Sequence, residues 1–392
     1  MRFGVWRRLA PVVVAVVASF SLMASQAVHA TPVPPDVIGG AATFGGFING
    51  RFLILNMHGG LMHREIEPVR ENVRYAAWMN AGAIRFFATD SEQRGSEDGA
   101  WVGNRIADLA PTLREHNIRL IVALVNNHQE VIGERWDAVG MKDGFWQLLL
   151  PFYAESWRGP YLDFSRRLIT AVVERGARDA VLAWEFGNEL HTPDQPTQIL
   201  SFMSAMTAEI RRIDSETMIF PGTMGALHLD PENYNTVMGR RLYCEAPIDA
   251  YTLHGYDWLD EERWGDMPIH WDLQNVVTRP CANGRRLPVI VEELGTSREL
   301  PGIWGSWDEE RRFQQELYQI RMVLKSDQVV GLGPWSSEAP NVPVRRFDDR
   351  RGLTSWGPIS GGGSCYPGAA GSTPAGYRCR LENVYRALPE IP

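Results

Sequence analysis

Length, composition and charge set the first limits on this chain. It has 392 residues, of which 39 are lysine or arginine and 47 are aspartate or glutamate, for a formal net charge of −8. This acidic balance argues against nucleic acid, or another polyanion, as a partner. The four cysteines, an even number, suit an oxidising compartment.

The first 30 residues have the pattern of a secretory signal peptide. Three arginines precede the apolar run Ala10–Met23, and Val28–Ala30 ends in the small residues typical of a cleavage site. An uncleaved membrane anchor is the alternative, but serines interrupt the run and leave it short for a membrane span. We therefore expect a secreted protein with no stable membrane association after cleavage, in which residues 31–392 form one domain.

Short apolar runs alternate with amphipathic stretches along the rest of the chain. The apolar runs predict strands at Phe52–Asn56, Ala83–Phe87, Arg119–Val125, Ala180–Trp184, Thr217–Pro221, Asp249–Leu253, Leu287–Val291 and Val329–Gly333. Helical spacing of apolar residues predicts helices at Pro68–Ala81, Leu162–Arg175, Thr197–Ile213 and Phe313–Lys325. This alternation predicts an α/β fold, a single (β/α)8 TIM barrel. A doubly wound open sheet would also alternate, but the glycine-rich phosphate-binding turns of its nucleotide-binding forms are absent.

Two connections in this plan are longer than the others. Asn127–Pro160 follows the third strand and contains Trp136, Trp146 and Trp157, and Trp335–Arg378 follows the eighth. Long connections of this kind are uncommon unless they serve a function. Because both leave the carboxyl ends of parallel strands, we expect both to border the same cleft.

The cysteine positions predict two disulfides. Cys244 and Cys281 each lie a few residues before a predicted strand, so that neighbouring strands would place both at one rim of the barrel. We predict a Cys244–Cys281 bond and a Cys365–Cys379 bond, with free buried thiols as the alternative.

The fourth and seventh strands run into acidic residues. Glu185 and Asn188-Glu189 follow the fourth strand, and Glu292-Glu293 follows the seventh. Such endings suggest side chains presented at the mouth of a parallel barrel, where catalytic groups of that fold lie. Two carboxylates at two strand ends are the minimum equipment for hydrolysing a glycosidic bond.

These strand ends resemble glycoside hydrolase family 5, the retaining glycosidases built on a (β/α)8 barrel. The matching residues occur in the family's order: Arg85, Asn188, Glu189, His254, Tyr256, Glu293 and Trp335. Among subgroups, Leu124–Asn127 and Val291–Gly295 are most similar to the endo-β-mannanases. One departure is Leu190, where family members commonly carry proline, a residue without a chemical role.

The resemblance implies a catalytic role for two glutamates. Glu189 would be the acid/base, with a pKa raised by burial or by a nearby carboxylate, and Glu293 would be the ionised nucleophile. Of the rival carboxylates, Glu185 has a supporting role. Alternation along a strand predicts that Glu292 points away from Glu293, toward the helices or a neighbouring loop.

The remaining landmarks are expected to bind substrate or support the carboxylates. Arg85 and Tyr256 would hold Glu293, and Asn188 would bond the sugar 2-hydroxyl. Trp335 would form the floor under the sugar. Asn127, His128 and His254 are further expected substrate contacts.

The implied activity is hydrolysis of a β-linked polysaccharide, of the endo-β-1,4-mannanase kind, with a polysaccharide or oligosaccharide as substrate. Two alternatives stay open: the same mechanism on another β-glycan or glycoconjugate, and a non-catalytic glycan-binding barrel. The mechanism requires no cofactor and no metal. Calcium bound in a loop also stays open, although Phe347–Arg351 lacks the spacing of a calcium loop.

Overall fold

Short apolar segments of the chain, separated by helices and polar connections, form a ring of parallel strands. In the computed structural model the described residues are 52–57, 65–89, 98–125, 130–131, 134–135, 149–190, 196–225, 236–256, 268–295, 309–335, 339–340, 364–367 and 377–388. Structural statements below concern these residues. All of them belong to one compact unit, Pro32–Pro392.

Eight parallel strands form the centre of the structure. They are β1 Phe52–Asn56, β2 Ala81–Phe87, β3 Arg119–Ala123, β4 Val181–Glu185, β5 Met218–Phe220, β6 Tyr251–Tyr256, β7 Val289–Gly295 and β8 Val329–Pro334. The pairing order is β5-β4-β3-β2-β1-β8-β7-β6. Between β5 and β6, the Asp249 backbone N–H donates to the Ile219 carbonyl at 2.8 Å. The nearly closed ring confirms the predicted (β/α)8 barrel.

Helices separate the strands and cover the ring. They are α1 Ile66–Trp78, α2 Gly99–Glu115, α3 Leu149–Ala154, α4 Pro160–Glu174, α5 Pro196–Ile213, α6 Thr236–Glu245, α7 Pro268–Asn275, α8 Glu309–Leu324 and α9 Tyr377–Arg386. Short 3-10 turns occur at Ser156–Arg158 and Arg178–Ala180. All four predicted helices are present, with ends shifted by a few residues. None of the described helices is long and apolar enough to cross a membrane.

Helix α2 was not predicted from the sequence. It contains Pro111 and begins at Gly99, two features that read as loop signals. In the structure Gly99 and Gly103 instead allow α2 to pack closely against α4. A Cβ on Gly99 would lie 2.0 Å from the Phe164 carbonyl oxygen, and one on Gly103 would lie 2.4 Å from that of Leu168. The small residues allow α2 and α4 to approach backbone to backbone.

Alternating side chains divide the apolar residues into two layers. One face of the strands packs against the helices in a large cluster. The other fills the barrel interior with Phe52, Ile54, Ala83, Ile121, Leu182, Ala183, Met218, Phe220, Ala250 and Ile290. This apolar floor supports the polar residues that follow it on the same strands.

The two long connections are only partly described. The first holds two short antiparallel strands, Glu130–Val131 and Glu134–Arg135, as well as α3. Trp157 from this connection is buried and packs edge-on against Phe202, so it belongs to the core. Trp136 and Trp146 lie outside the described residues, as does most of the second connection.

Both predicted disulfides are present. Cys244 at the end of α6 is bonded to Cys281 ahead of β7, and Cys365 is bonded to Cys379 in α9. The first bond links the segments that lead into β6 and β7. The Arg285 guanidinium donates to the Ala246 carbonyl at 2.5 Å and so also links these two segments.

Removing the first disulfide should destabilise the protein measurably. The Cys244–Cys281 bond spans 37 residues of sequence, and its loss frees that loop in the unfolded chain. For Cys244→Ser combined with Cys281→Ser we expect the free energy of unfolding to fall by about 2–4 kcal/mol. Urea titration followed by circular dichroism measures it. A midpoint unchanged from that of the native protein would contradict the structural role of this bond.

Candidate active site

A polar layer sits directly above the apolar floor of the barrel. Asn56 follows Ile54 by two residues on β1, Arg85 follows Ala83 on β2, and Glu185 follows Ala183 on β4. Two-residue spacing places side chains on the same face of a strand, so these polar groups also point inward. All three are buried. The polar layer therefore lies at the carboxyl ends of the strands.

Arg85 lies at the centre of this layer. Its Nε and Nη2 donate to the two carboxyl oxygens of Glu185 at 2.8 and 2.7 Å, a bidentate pair. Nη1 donates to Glu293 Oε1 at 2.7 Å, and Nη2 donates to Asn188 Oδ1 at 2.9 Å. Burial acts to lower the pKa of Arg85, but the charges of Glu185, Glu292 and Glu293 outweigh it and raise the pKa well above its ordinary value. The arginine therefore stays charged.

Glu189 extends from β4 in a conformation that few residues adopt. Its φ is +54°, in the left-handed region that is uncommon for a residue with a Cβ. The peptides on either side hold it there: the Asn188 N–H donates to the Val125 carbonyl at 2.8 Å, and the Leu190 N–H donates to the Gly222 carbonyl at 2.9 Å. Proline at 190 could not make the second bond. Backbone strain of this kind is typical of functional sites.

A bulge in β7 turns two consecutive carboxyl groups inward. In the pairing with β6, Leu253 is opposite Val291 and His254 is opposite Glu293, so Glu292 has no partner. Glu292 lies two residues after Ile290, whose side chain points into the barrel, so Glu292 also points inward. The bulge brings Glu293 to the same side. The prediction that Glu292 points toward the helices or a loop is therefore wrong. Its Oε2 lies 3.9 Å from Arg85 Nε and 3.5 Å from His254 Nε2.

His254 lies between three carboxyl groups. Its Nδ1 is 3.0 Å from Glu189 Oε1 and 3.4 Å from Glu293 Oε2, and its Nε2 faces Glu292. Burial acts to lower the pKa of His254, but Glu293, Glu189 and Glu292 outweigh it and raise the pKa to about 10. At neutral pH the imidazole is therefore a cation, with Nδ1 bonded to Glu189 and Nε2 facing the Glu292 carboxyl group.

The raised pKa of His254 favours its charged form, whereas a raised pKa of Glu292 favours its neutral form. Burial, together with the charge of Glu185, raises its pKa to about 8, although Arg85 and His254 act to lower it. Glu292 is therefore easier to protonate than an exposed glutamate. A neutral carboxyl group at this position limits the number of negative charges buried around Arg85 and His254.

Glu189 and Glu293 lie close together, and both face Nδ1 of His254. One carboxyl oxygen of each lies within 4.8 Å of the other, and both lie within that distance of a ring nitrogen of His254. Such a trio has the spacing of metal ligands, and a metal bound here would take the place of the His254 proton, since histidine binds metal as neutral imidazole. We assign no metal ligand here; the arrangement suits proton exchange between acids.

Trp335 stands at the edge of this cluster. It directly follows β8 and its backbone N–H donates to the Leu294 carbonyl at 2.9 Å. Its half-buried ring lies 6.0 Å from the ring of Phe87, over which the Arg85 guanidinium lies at 5.2 Å. The indole thus borders the polar layer on the side of β2.

The structure brings together most of the predicted site residues. Its described part includes the side chains of Arg85, Asn188, Glu189, His254, Glu293 and Trp335. Tyr256 ends β6, with its backbone beside Gly295, but its side chain lies outside the described residues. Asn127 and His128 lie outside them as well. Two buried residues that the sequence did not single out for the site, Asn56 and the inward Glu292, join the cluster.

Comparisons with known proteins show what this chain is similar to. No model of a known protein family matches the chain. The chain is 25% identical over 250 residues to mannan endo-1,4-beta-mannosidase 7 of Oryza sativa subsp. japonica, a match covering 56% of this chain and 64% of that protein. Less than two thirds of the relative's length is therefore matched.

Solved structures share the fold. The endo-beta-1,4-mannanase of Thermotoga petrophila superposes with a TM-score of 0.58 at 16% identity, covering 88% of this chain and 77% of that one. A glycoside hydrolase family 5 mannosidase from Rhizomucor miehei superposes with a TM-score of 0.54 at 16% identity, covering 87% and 92%. The predicted resemblance is confirmed as a likeness to mannan endo-1,4-beta-mannosidases in sequence and to family 5 mannosidases in fold.

The buried cluster makes stability depend on pH in a defined direction. His254 has a pKa of about 10 in the folded protein against an ordinary 6.5. The stabilisation that the charged His254 gives the folded protein is therefore complete below a pH of about 6.5 and is lost as the pH rises through about 10. Glu292 acts in the same direction, since its pKa is also raised in the folded protein. We expect the free energy of unfolding to decrease with rising pH, and to decrease less in His254→Gln.

Urea titrations between pH 6 and 10 measure this dependence. His116→Gln, at the carboxyl end of α2 and outside the cluster, is the matched control and should keep the slope of the unmodified protein. Equal slopes for His254→Gln and the unmodified protein would contradict the charged His254.

Proposed function

We propose that the protein is a secreted, retaining glycoside hydrolase of the endo-β-1,4-mannanase kind. The observation that carries this proposal is the pair of glutamates after β4 and near the end of β7, with carboxyl oxygens within 4.8 Å of each other. Retaining glycosidases hold their two carboxyl groups about 5–5.5 Å apart, whereas inverting enzymes leave about 6.5–9.5 Å for a water. The short separation favours double displacement.

Glu293 is the nucleophile in this proposal. Its Oε1 accepts a bond from Arg85 Nη1 at 2.7 Å, and its Oε2 faces the His254 cation at 3.4 Å. These two positive groups hold the carboxyl group and fix its orientation. A Glu293 oxygen attacks the anomeric carbon, forms an ester bond to the sugar, and the glycosidic bond breaks.

Glu189 is the acid and then the base. In the first step it gives its proton to the departing glycosidic oxygen, so that the leaving sugar departs as an alcohol. In the second step the ionised Glu189 takes a proton from water, whose oxygen attacks the anomeric carbon and releases Glu293. His254 Nδ1, 3.0 Å from Glu189 Oε1, stabilises the carboxylate between the two steps. Configuration at the anomeric carbon is retained after two inversions.

Other residues bind the sugar. Asn188 accepts from Arg85 through Oδ1, which orients its amide nitrogen as a donor for the sugar 2-hydroxyl. Trp335 offers a flat apolar face for the pyranose ring. We assign substrate contacts also to Asn127, His128 and His254, and a bond to Glu293 to the Tyr256 phenol, as the family resemblance implies.

Secretion completes the proposal. Residues 1–30 have the composition of a signal peptide, and the two disulfides suit an oxidising compartment. A polymer too large to enter a cell requires its hydrolase outside, so secretion and polysaccharide cleavage agree with each other.

Substitution of the nucleophile tests the mechanism. With an aryl β-mannoside or mannooligoside, Glu293→Ala should reduce turnover to background, because no carboxylate remains to attack the anomeric carbon. Azide should restore turnover and yield the glycosyl azide of inverted configuration, identified by proton NMR. Glu245→Gln removes an exposed carboxylate at the end of α6 and should behave as the unmodified protein. Near-normal activity of Glu293→Ala would show that the assignment is wrong.

A polysaccharide panel tests the substrate. Reducing-end release should be greatest on β-1,4-mannan, and a rapid loss of viscosity should accompany it if cleavage is internal. Greater release from a β-glucan, xylan or exopolysaccharide would keep the mechanism and change the substrate. Binding to the panel without any hydrolysis would instead indicate a glycan-binding barrel.

A further inference from the structure

Asn56, the last residue of β1, makes more contacts with the site than its place in the sequence indicates. It is 1% exposed. Its Nδ2 donates to the Glu292 carbonyl at 2.6 Å and to the Pro334 carbonyl at 3.1 Å. One amide group of β1 is thereby bonded to the main chains of both β7 and β8.

The two carbonyls lie where the sheet is irregular. The pairing of β7 with β6 skips Glu292, and the pairing of β7 with β8 shifts between Leu332 and Pro334. A bulge disrupts the ladder bonds locally, and a buried carbonyl without a partner is costly. The Asn56 amide supplies bonds at this irregular point and so stabilises the bulge.

The other end of the amide reaches the ion pair. Asn56 Oδ1 accepts from Arg85 Nη1 at 3.3 Å, the same nitrogen that donates to Glu293 Oε1 at 2.7 Å. Asn56 thus contacts both the peptide that precedes Glu293 and the cation that binds its carboxyl group.

Strand β8 leaves room for this arrangement. A Cβ on Gly333 would lie 2.6 Å from the Glu292 carbonyl oxygen and 3.1 Å from Asn56 Nδ2. Glycine therefore permits the close approach of the amide to the bulged main chain.

We propose that Asn56 is a positioning residue for Glu293: its amide nitrogen holds the β7 bulge that turns the carboxyl group inward, and its amide oxygen holds the arginine that binds it. The assignment rests on the proposed function, in which Glu293 attacks the sugar. Asn56 itself makes no contact with the reacting atoms.

The test must separate positioning from stability. Asn56→Leu keeps the approximate shape and removes both polar atoms, while Asn56→Asp keeps the acceptor for Arg85 and removes the donors to the carbonyls. We expect kcat to fall about 10²-fold in Asn56→Leu, as for a misplacement of about 1 Å, with KM changed less than about 3-fold. Asn56→Asp should also lose activity, because an oxygen would face two carbonyl oxygens.

The pH profile supplies a second readout. Among the described side chains, the charged or titratable groups around Glu293 are Arg85 on β2, Glu185 on β4, Glu189 after β4, His254 on β6 and Glu292 on β7. The proposal adds the Tyr256 phenol to them. Loosening the Arg85 guanidinium changes the electrostatic balance among these groups, so the acid limb of kcat/KM should move in Asn56→Leu.

Tyr243→Phe is the matched control. The Tyr243 hydroxyl is buried and bonds the Leu287 backbone just before β7, at the opposite end of the same strand. This variant should lower the midpoint of thermal unfolding and leave the acid limb unmoved. An acid limb and a kcat unchanged in both Asn56 variants would overturn the proposal.

The two proposals fail in different ways. If the unmodified protein hydrolyses no β-glycan, the proposed function is wrong, and the geometry is tested by a crystal structure of Asn56→Leu. An unchanged bulge and an intact Arg85–Glu293 bond in that structure would overturn the role of Asn56. If the leucine variant does not fold, the aspartate variant provides both the pH profile and the crystal structure.

Discussion

The buried guanidinium of Arg85 is the interaction on which the rest of the site depends. Burying a cation in a barrel interior costs several kcal/mol unless its donors are satisfied, and about as much is lost when a single partner is removed. Arg85 has Glu185 as a bidentate partner and still directs donors to Asn188 and Glu293. Glu185 therefore neutralises the charge, and the remaining donors orient the groups proposed to act on the sugar.

A second cation completes the electrostatic balance. His254 carries a proton between Glu189 and Glu293, while burial raises the pKa of Glu292 and so favours its neutral form. In the proposed reaction Glu293 gives up its negative charge as Glu189 gains one, so the total charge of the cluster stays constant. A buried cluster that keeps its charge avoids the solvation cost of creating a new ion at each step.

Much of this could be predicted from the sequence because each element has a local signal. Eight apolar runs marked the strands, and acidic strand ends marked Glu189 and Glu293. The inward Glu292 could not be predicted, because a bulge alters the alternation and depends on partners from β1 and β8. Helix α2 was hidden for a similar reason: its glycines serve contacts with α4. Asn56 is a polar residue at the end of an apolar strand, which is a signal visible in the sequence. Its proposed positioning role depends on contacts with β2, β7 and β8, which the sequence does not show.

Four buried carboxyl groups surround Arg85 and His254, so the central claim is that Glu293 alone among them forms the bond to the sugar. Inactivation with an activated 2-deoxy-2-fluoro mannoside, followed by proteolysis and mass spectrometry, measures this directly. We expect one sugar bound per protein, attached to Glu293, with the label lost on incubation with an acceptor. A label on Glu292, Glu185 or Glu189 would contradict it, as would turnover of mannan by a protein that never acquires a label.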